Sequence, residues 1–362
     1  MNAPHVLTLA SVLGCAPSAE DSPTAAAAPA EASAALEAPT PPPVAAPPPK
    51  PGGTPIVADL HIDTPTQLLR RGVGLDAPEL ESGLGAMRAG GTNLAMMVLW
   101  PPKAPGDAVV ASLLERMEAE DARLDAVALA RSPAEARRVV ADGRVAFAYA
   151  MEGAHGLDAA GVEGLAPLQA RGLAMIGVTW SFSNTWGGSS KDEGGGLTER
   201  GRALVTEANR LGVVLDVSHA SRATTLDICR LSSAPVVASH SDAAAVHGNP
   251  RNLDDEEIAC VCEKGGVIGL NFHAPFVGPG AGATTLGEHA DHLAKVGGRG
   301  CVALGSDFDG MITPPPDLRT AASLDVLWTE LARRGWSPTE IAGVKGENFM
   351  RVWERATAGV AE

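Results

Sequence analysis

Short apolar runs recur along this chain from residue 54 onward, and most of them stop at a side chain able to hold a metal. Val57-Ala58-Asp59-Leu60 runs into His61 and Asp63, Val145 through Met151 into Glu152, and Val213 through Val217 into His219. Val236-Val237-Ala238 runs into His240 and Val302-Ala303-Leu304 into Asp307, whereas Leu173 through Val178 leads to Trp180. Short apolar runs bounded by polar residues read as buried strands, and the stretches between them carry a helical period. Strands are expected near 55–60, 92–99, 144–151, 173–179, 213–218, 235–239, 266–272 and 301–306. Helices are expected over 106–130, 133–141, 158–170, 197–211, 222–231, 254–264 and 284–296, with further helices near 322–334, 337–342 and 345–357.

This alternation predicts an α/β fold, a (β/α)8 TIM-type barrel with extra C-terminal helices. An open doubly wound sheet is the competing architecture, but it would gather its chemistry at one switch point behind a glycine-rich phosphate loop. Candidate ligands arriving from five strand ends favour closure, because the carboxyl ends of barrel strands meet at one rim. The Gly- and Ser-rich stretch 181–196 is long enough to cover or shape a site on that rim.

Residues 1–53 break the pattern. Residues 1–15 hold a short apolar run ending in Gly14-Cys15, which resembles a bacterial lipoprotein signal with Cys15 as the lipidated residue, although no Lys or Arg precedes the run. Residues 16–53 are dominated by Ala and Pro, a composition that buries too little surface to fold and that suits an extended tether. The folded domain is therefore expected over 54–362, with the protein in a bacterial cell envelope, anchored to the outer membrane or periplasmic. A hydrophobic content of 45% supports a packed core, and a formal net charge of -15 argues against nucleic acid as a partner. Of the five cysteines, Cys229, Cys260, Cys262 and Cys301 read as buried thiols, since nothing pairs them at zinc-site spacing.

His61-Ile62-Asp63 alternates by two, so in an extended strand both side chains point one way and offer a nitrogen and an oxygen to a single ion. Glu152 could bridge two ions, and His219 and His240 supply the neutral imidazoles that zinc prefers. A metal pair lowers the pKa of a water and polarises a scissile carbonyl. Asp307 would then accept a proton and return it to the leaving amine. Any one strand-end His is more often a hydrogen-bonded structural residue; their joint arrival at one rim is what points to a binuclear hydrolase. Asp216 and Asp309 are expected to cap or hydrogen-bond, and His155, His247, His273, His289 and His292 to be structural.

The stretches Asp59 to Thr64, Met151-Glu152-Gly153, Leu215 to Ser221, Pro235 to Ser241 and Gly305 to Gly310 resemble the membrane (renal) dipeptidase family, zinc metallopeptidases of the amidohydrolase superfamily. Arg251-Asn252-Leu253 and the terminal Gly346 to Val352 also match, in family order. The resemblance implies two Zn²⁺, one on His61 and Asp63 and the other on His219 and His240, with Glu152 bridging and Asp307 as general acid/base. It implies that Arg251 binds substrate, a guanidinium fork being suited to a carboxylate. It further implies hydrolysis of dipeptides, including those with a C-terminal D-residue. Trp180 departs from the pattern: mammalian members carry a His there, and an indole N–H donates one hydrogen bond but carries no proton. Trp180 either binds substrate or packs beside it. The alternative functions are a binuclear amidohydrolase acting on N-acyl amino acids, β-lactams or lactones, and a non-catalytic surface-anchored binding protein. The expected partners are a small peptide substrate, a membrane reached through Cys15, and a second copy of the chain in a homodimer.

Overall fold

The computed structural model describes residues 53–192 and 194–358. The expected signal segment 1–15, with Cys15, and nearly all of the expected tether 16–53 lie outside the described residues. Among the described residues no helix is long and apolar enough to cross a membrane.

Nine parallel strands form one sheet: β1 (Ala58–Ile62), β2 (Leu94–Leu99), β3 (Val127–Leu129), β4 (Val145–Met151), β5 (Leu173–Gly177), β6 (Val214–Asp216), β7 (Val236–Ala238), β8 (Val267–Leu270) and β9 (Val302–Leu304). Eight of them run in the order β1-β2-β4-β5-β6-β7-β8-β9, and β3 pairs only with β4. The ring closes where Ile62 bridges Phe308. Asp63 N donates to Phe308 O at 2.9 Å and Asp307 N to His61 O at 3.0 Å. The closing bonds of the barrel thus lie in the same segments as three candidate site residues.

Alternation along the strands separates two packed faces. Leu94, Met96 and Val98 join Ala146, Ala148, Ala150, Val214, Val237, Val267 and Ala303 in one cluster, which Phe349 and Trp353 of the last helix also enter. Ala95, Met97, Leu99, Phe147, Tyr149 and Met151 belong to the other, shared with the surrounding helices. The first parity, carried past the strand ends, delivers Trp100 after Val98 and Glu152 after Ala150.

The expected eight strands are all present. One helix is shorter than its sequence pattern suggested: the helix expected over 106–130 ends at Arg123, and Val127–Leu129 leaves it to pair with β4. The helix expected over 158–170 is broken into a 3₁₀ turn, Val162–Gly164, and the helix Leu165–Ala170, with positive-φ Gly161 beforehand. The four C-terminal thiols are corrected to two disulfides, Cys229–Cys260 and Cys262–Cys301, with Cα separations of 6.1 and 5.5 Å. Neighbouring helices bring these pairs into bonding range, which spacing along the chain does not reveal.

Candidate metal centre

Five strand ends meet on one oxygen-rich point. His219 Nε2 lies 2.8 Å from Glu152 Oε1, His240 Nε2 3.5 Å from the same oxygen, and His61 Nε2 3.6 Å from it. His61 Nε2 is also 3.5 Å from Asp63 Oδ2. Donor atoms of Glu152, His219 and His240 lie within 4.8 Å of one another, as do those of His61, Asp63 and Asp307. All six side chains are buried.

The backbone is bent to achieve this. His219 and Asp307 both adopt φ of 68°, a left-handed conformation that non-glycine residues enter at a cost of roughly 1–3 kcal/mol. Ser190 N donates to His219 O at 2.9 Å, and Gly310 N to Asp307 O at 3.1 Å, which holds both residues there. Gly310 is required by crowding: a Cβ on it would stand 2.5 Å from Asp307 Oδ1 and 2.7 Å from Asp63 Oδ2.

A second layer sets which imidazole nitrogen is offered. Ser239 Oγ donates to Asp216 Oδ2 at 2.5 Å, which uses its one proton. Its lone pairs therefore accept from His240 Nδ1 at 2.8 Å and His61 Nδ1 at 3.3 Å. Both rings then carry hydrogen on Nδ1 and turn Nε2 toward the cluster, the nitrogen that a ligand histidine would offer once a metal displaces any proton on it. Asp216 also accepts from Ser218 N and Ser239 N, each at 2.9 Å. Asp309 accepts from Thr64 Oγ1 at 2.6 Å and from Glu81 N at 2.9 Å, so both aspartates hydrogen-bond as expected.

The electrostatics ask for positive charge. Burial opposes ionisation of His61, but Glu152, Asp63 and Asp307 outweigh it and push it up to about 10. Burial raises Glu152 well above the usual carboxylate range, with His61 pulling the other way. Burial also raises Asp307 to about 7, against the attraction of His61 and a hydrogen bond from Asn271 Nδ2 of 3.1 Å. His219 and His240 are held neutral by burial and by the neighbouring cations Arg251 and His61. Three carboxylates facing three Nε2 atoms, two of them uncharged, make a donor set that fits divalent cations.

Two cavities flank His219. One, of about 280 Å³, is lined by Asp63, Glu152, Asp307 and Asp309 and by Trp100, Trp180, Phe276, Met311 and Ile312, with Lys191 and His273 also on it. The other, of about 300 Å³, is lined by Arg251, Ser190, Ser221 and Pro250, and His219 belongs to both. Arg251 is buried and makes no ion pair among the described residues; its Nη2 donates to His240 O at 3.2 Å and its guanidinium lies 5.5 Å from the Phe276 ring centre. Trp180 faces the first cavity, its ring 6.3 Å from that of His219.

The structure therefore brings His61, Asp63, Glu152, His219, His240 and Asp307 together, puts Trp180 on the same cavity, and sets Arg251 on the neighbouring one. Sequence reasoning passed over Trp100, Lys191, Ser239 and Asn271, and left His273 as structural. Trp100 and His273 had a detectable signal, since each follows a strand end. Ser239 and Lys191 had none beyond proximity to His240 and a place in the Gly-rich loop.

A closed parallel barrel with buried histidines and carboxylates at its carboxyl rim defines a metal-dependent hydrolase. Residues 54–361 match the membrane dipeptidase family, peptidase family M19, and the chain belongs to that family of metal-dependent dipeptidases. It is similar to the dipeptidase verJ of Clonostachys rogersoniana, with 34% identity over 68% of this chain and 63% of that protein. Among solved structures it is similar to the metallopeptidase dipeptidase AC of family M19, with 30% identity, a TM-score of 0.77, and coverage of 84% of this chain and 99% of the other. A metallopeptidase from Rhodobacter sphaeroides, solved with a phosphinate mimic of the dipeptide L-Ala-D-Ala, matches with 29% identity, a TM-score of 0.77, and coverage of 84% and 100%.

Proposed function

We propose that this chain is a two-zinc dipeptidase in which His61 and Asp63 hold one ion, His219 and His240 the other, and Glu152 lies between them. The observation that carries the reading is the approach of three imidazole Nε2 atoms to one Glu152 oxygen, at 2.8, 3.5 and 3.6 Å. When bound, such a pair supplies an acidified water and polarises the scissile carbonyl. Asp307 moves the protons. Its carboxylate lines the cavity beside the cluster, placed to take a proton from the attacking water and return it to the leaving amine.

The two cavities orient the substrate by charge. Arg251 of the second, which makes no ion pair among the described residues, attracts the peptide's carboxylate, and the scissile bond then lies toward His219, the residue that lines both. The Rhodobacter metallopeptidase was solved with a mimic of a dipeptide ending in a D-residue, and the same class of substrate is proposed here. Zinc-loaded protein is expected to hydrolyse L,L- and L,D-dipeptides and to leave N-acyl amino acids intact. Turnover of the N-acyl series with none of the dipeptides would overturn the reading.

The folded domain over 54–362 is proposed to be exported and tethered through Cys15 and the Ala/Pro-rich stretch. Two disulfides support maturation in an oxidising compartment. Cys15→Ala is expected to move the protein from the membrane fraction to the soluble periplasmic fraction; wild type already found there would contradict the anchor.

A further inference from the structure

We propose that Trp100 and Trp180 form a specificity wall that selects dipeptides whose N-terminal residue carries a large apolar side chain. The inference rests on the dipeptidase reading and adds the substrate class to it.

With the dipeptide's carboxylate on Arg251 in the neighbouring cavity and its scissile bond at His219, which lines both, the N-terminal residue falls in the first cavity. Much of the lining of that cavity is apolar: Trp100, Trp180, Phe276, Met311 and Ile312. The wall is also braced. The Trp180 ring stands edge-on to Trp100 at 5.0 Å and edge-on to Phe182 at 5.7 Å, so neighbours on both sides fix its plane. Phe276 is held edge-on by His273 at 4.6 Å and lies against the Arg251 guanidinium. A preformed aromatic face loses little freedom on binding, so apolar contact with it converts efficiently into affinity.

Two further features sharpen the choice. Trp100 Nε1 is buried out of a substrate's reach and has no hydrogen-bond partner among the described residues, so the ring offers the cavity apolar surface alone. Lys191 places an ammonium on the same cavity and disfavours a basic side chain there. Small, acidic and basic N-terminal residues all forgo the contact that the wall offers.

The test measures kcat/KM of the zinc-loaded full chain on Phe-Ala, Leu-Ala, Ala-Ala, Gly-Ala and Lys-Ala, with Ala-Phe as the reversed control. Phe-Ala and Leu-Ala are expected to exceed Gly-Ala by roughly 10- to 200-fold, the range that apolar contacts in a pocket provide. Trp100→Ala and Trp180→Ala are expected to lower the Phe-Ala to Gly-Ala ratio by about tenfold or more, with zinc per chain retained. Should either variant fail to fold, the wild-type panel and Trp100→Phe still decide. Equal rates on Phe-Ala and Gly-Ala, or a preference that follows the C-terminal residue, would overturn the inference and leave the dipeptidase reading standing. Hydrolysis of none of the dipeptides would overturn both.

Discussion

One hydroxyl governs what two histidines can do. Ser239 gives its proton to Asp216, accepts from His240 and His61, and so turns both Nε2 atoms toward the cluster. Ser239→Ala removes that constraint without touching a ligand atom. It is expected to weaken zinc binding by roughly 10- to 100-fold, the usual cost of losing a partner behind a metal ligand, and to lower thermal stability as well, because buried Asp216, His240 and His61 each lose a partner. Chelator competition measures it, and unchanged zinc affinity would contradict the role. Glu152→Gln acts directly, because it replaces the oxygen on which three imidazoles converge; zinc per chain and kcat should both fall by more than that factor. Gly310→Ala should also lower metal content, since its Cβ would press on Asp307 and Asp63. A Gly310→Ala enzyme with wild-type zinc content would show that the two carboxylates can shift freely.

Strands and loops differ in how openly the chain announces them. A strand buried on both faces needs contiguous apolar residues, so β4 through Glu152 and β7 through His240 are readable from composition alone. Val127–Leu129 is not, because three apolar residues at the end of an amphipathic stretch serve a helix equally well. The residues gathered at the rim were legible because each follows the end of such a strand. Trp100 was not singled out because it ends its strand without a metal-binding atom, Lys191 reaches its cavity only through loop geometry, and Arg251 was legible only through the family resemblance. The disulfides were invisible for a related reason: their cysteines stand 31 and 39 residues apart, and only helix packing makes them neighbours. Together they tie the helices Arg222–Leu231 and Asp255–Glu263 to the approach of β9, the segments behind His219, His240 and Asp307. Reduction, or Cys262→Ser, is expected to cost about 2–4 kcal/mol of stability. Denaturant unfolding with and without reductant measures this, and identical midpoints would mean that the bonds do not form.

Across the whole protein, concentrated buried acid predicts that a bound cation would add stability. Burial raises Asp307 to about 7 and Asp242 to about 8, while neighbouring carboxylates overcome burial and lift His61 to about 10. Each of these groups binds more protons folded than unfolded, so its contribution is greatest at low pH and is lost as pH climbs to its folded value. His219 and His240, lowered by burial, work in the opposite sense, but only below their ordinary value of 6.5. Between about pH 6.5 and 8 the metal-free protein should therefore lose thermal stability, whereas zinc-loaded protein should lose less. Melting curves in chelator and in zinc across that interval check the sign; a metal-free Tm that rises would contradict it. The account stands most directly on where the metal goes. Anomalous diffraction at the zinc edge, from crystals of zinc-loaded protein, should show two peaks flanking Glu152, one against His61 and Asp63 and the other against His219 and His240. A single peak elsewhere, or none beside Glu152, would contradict it.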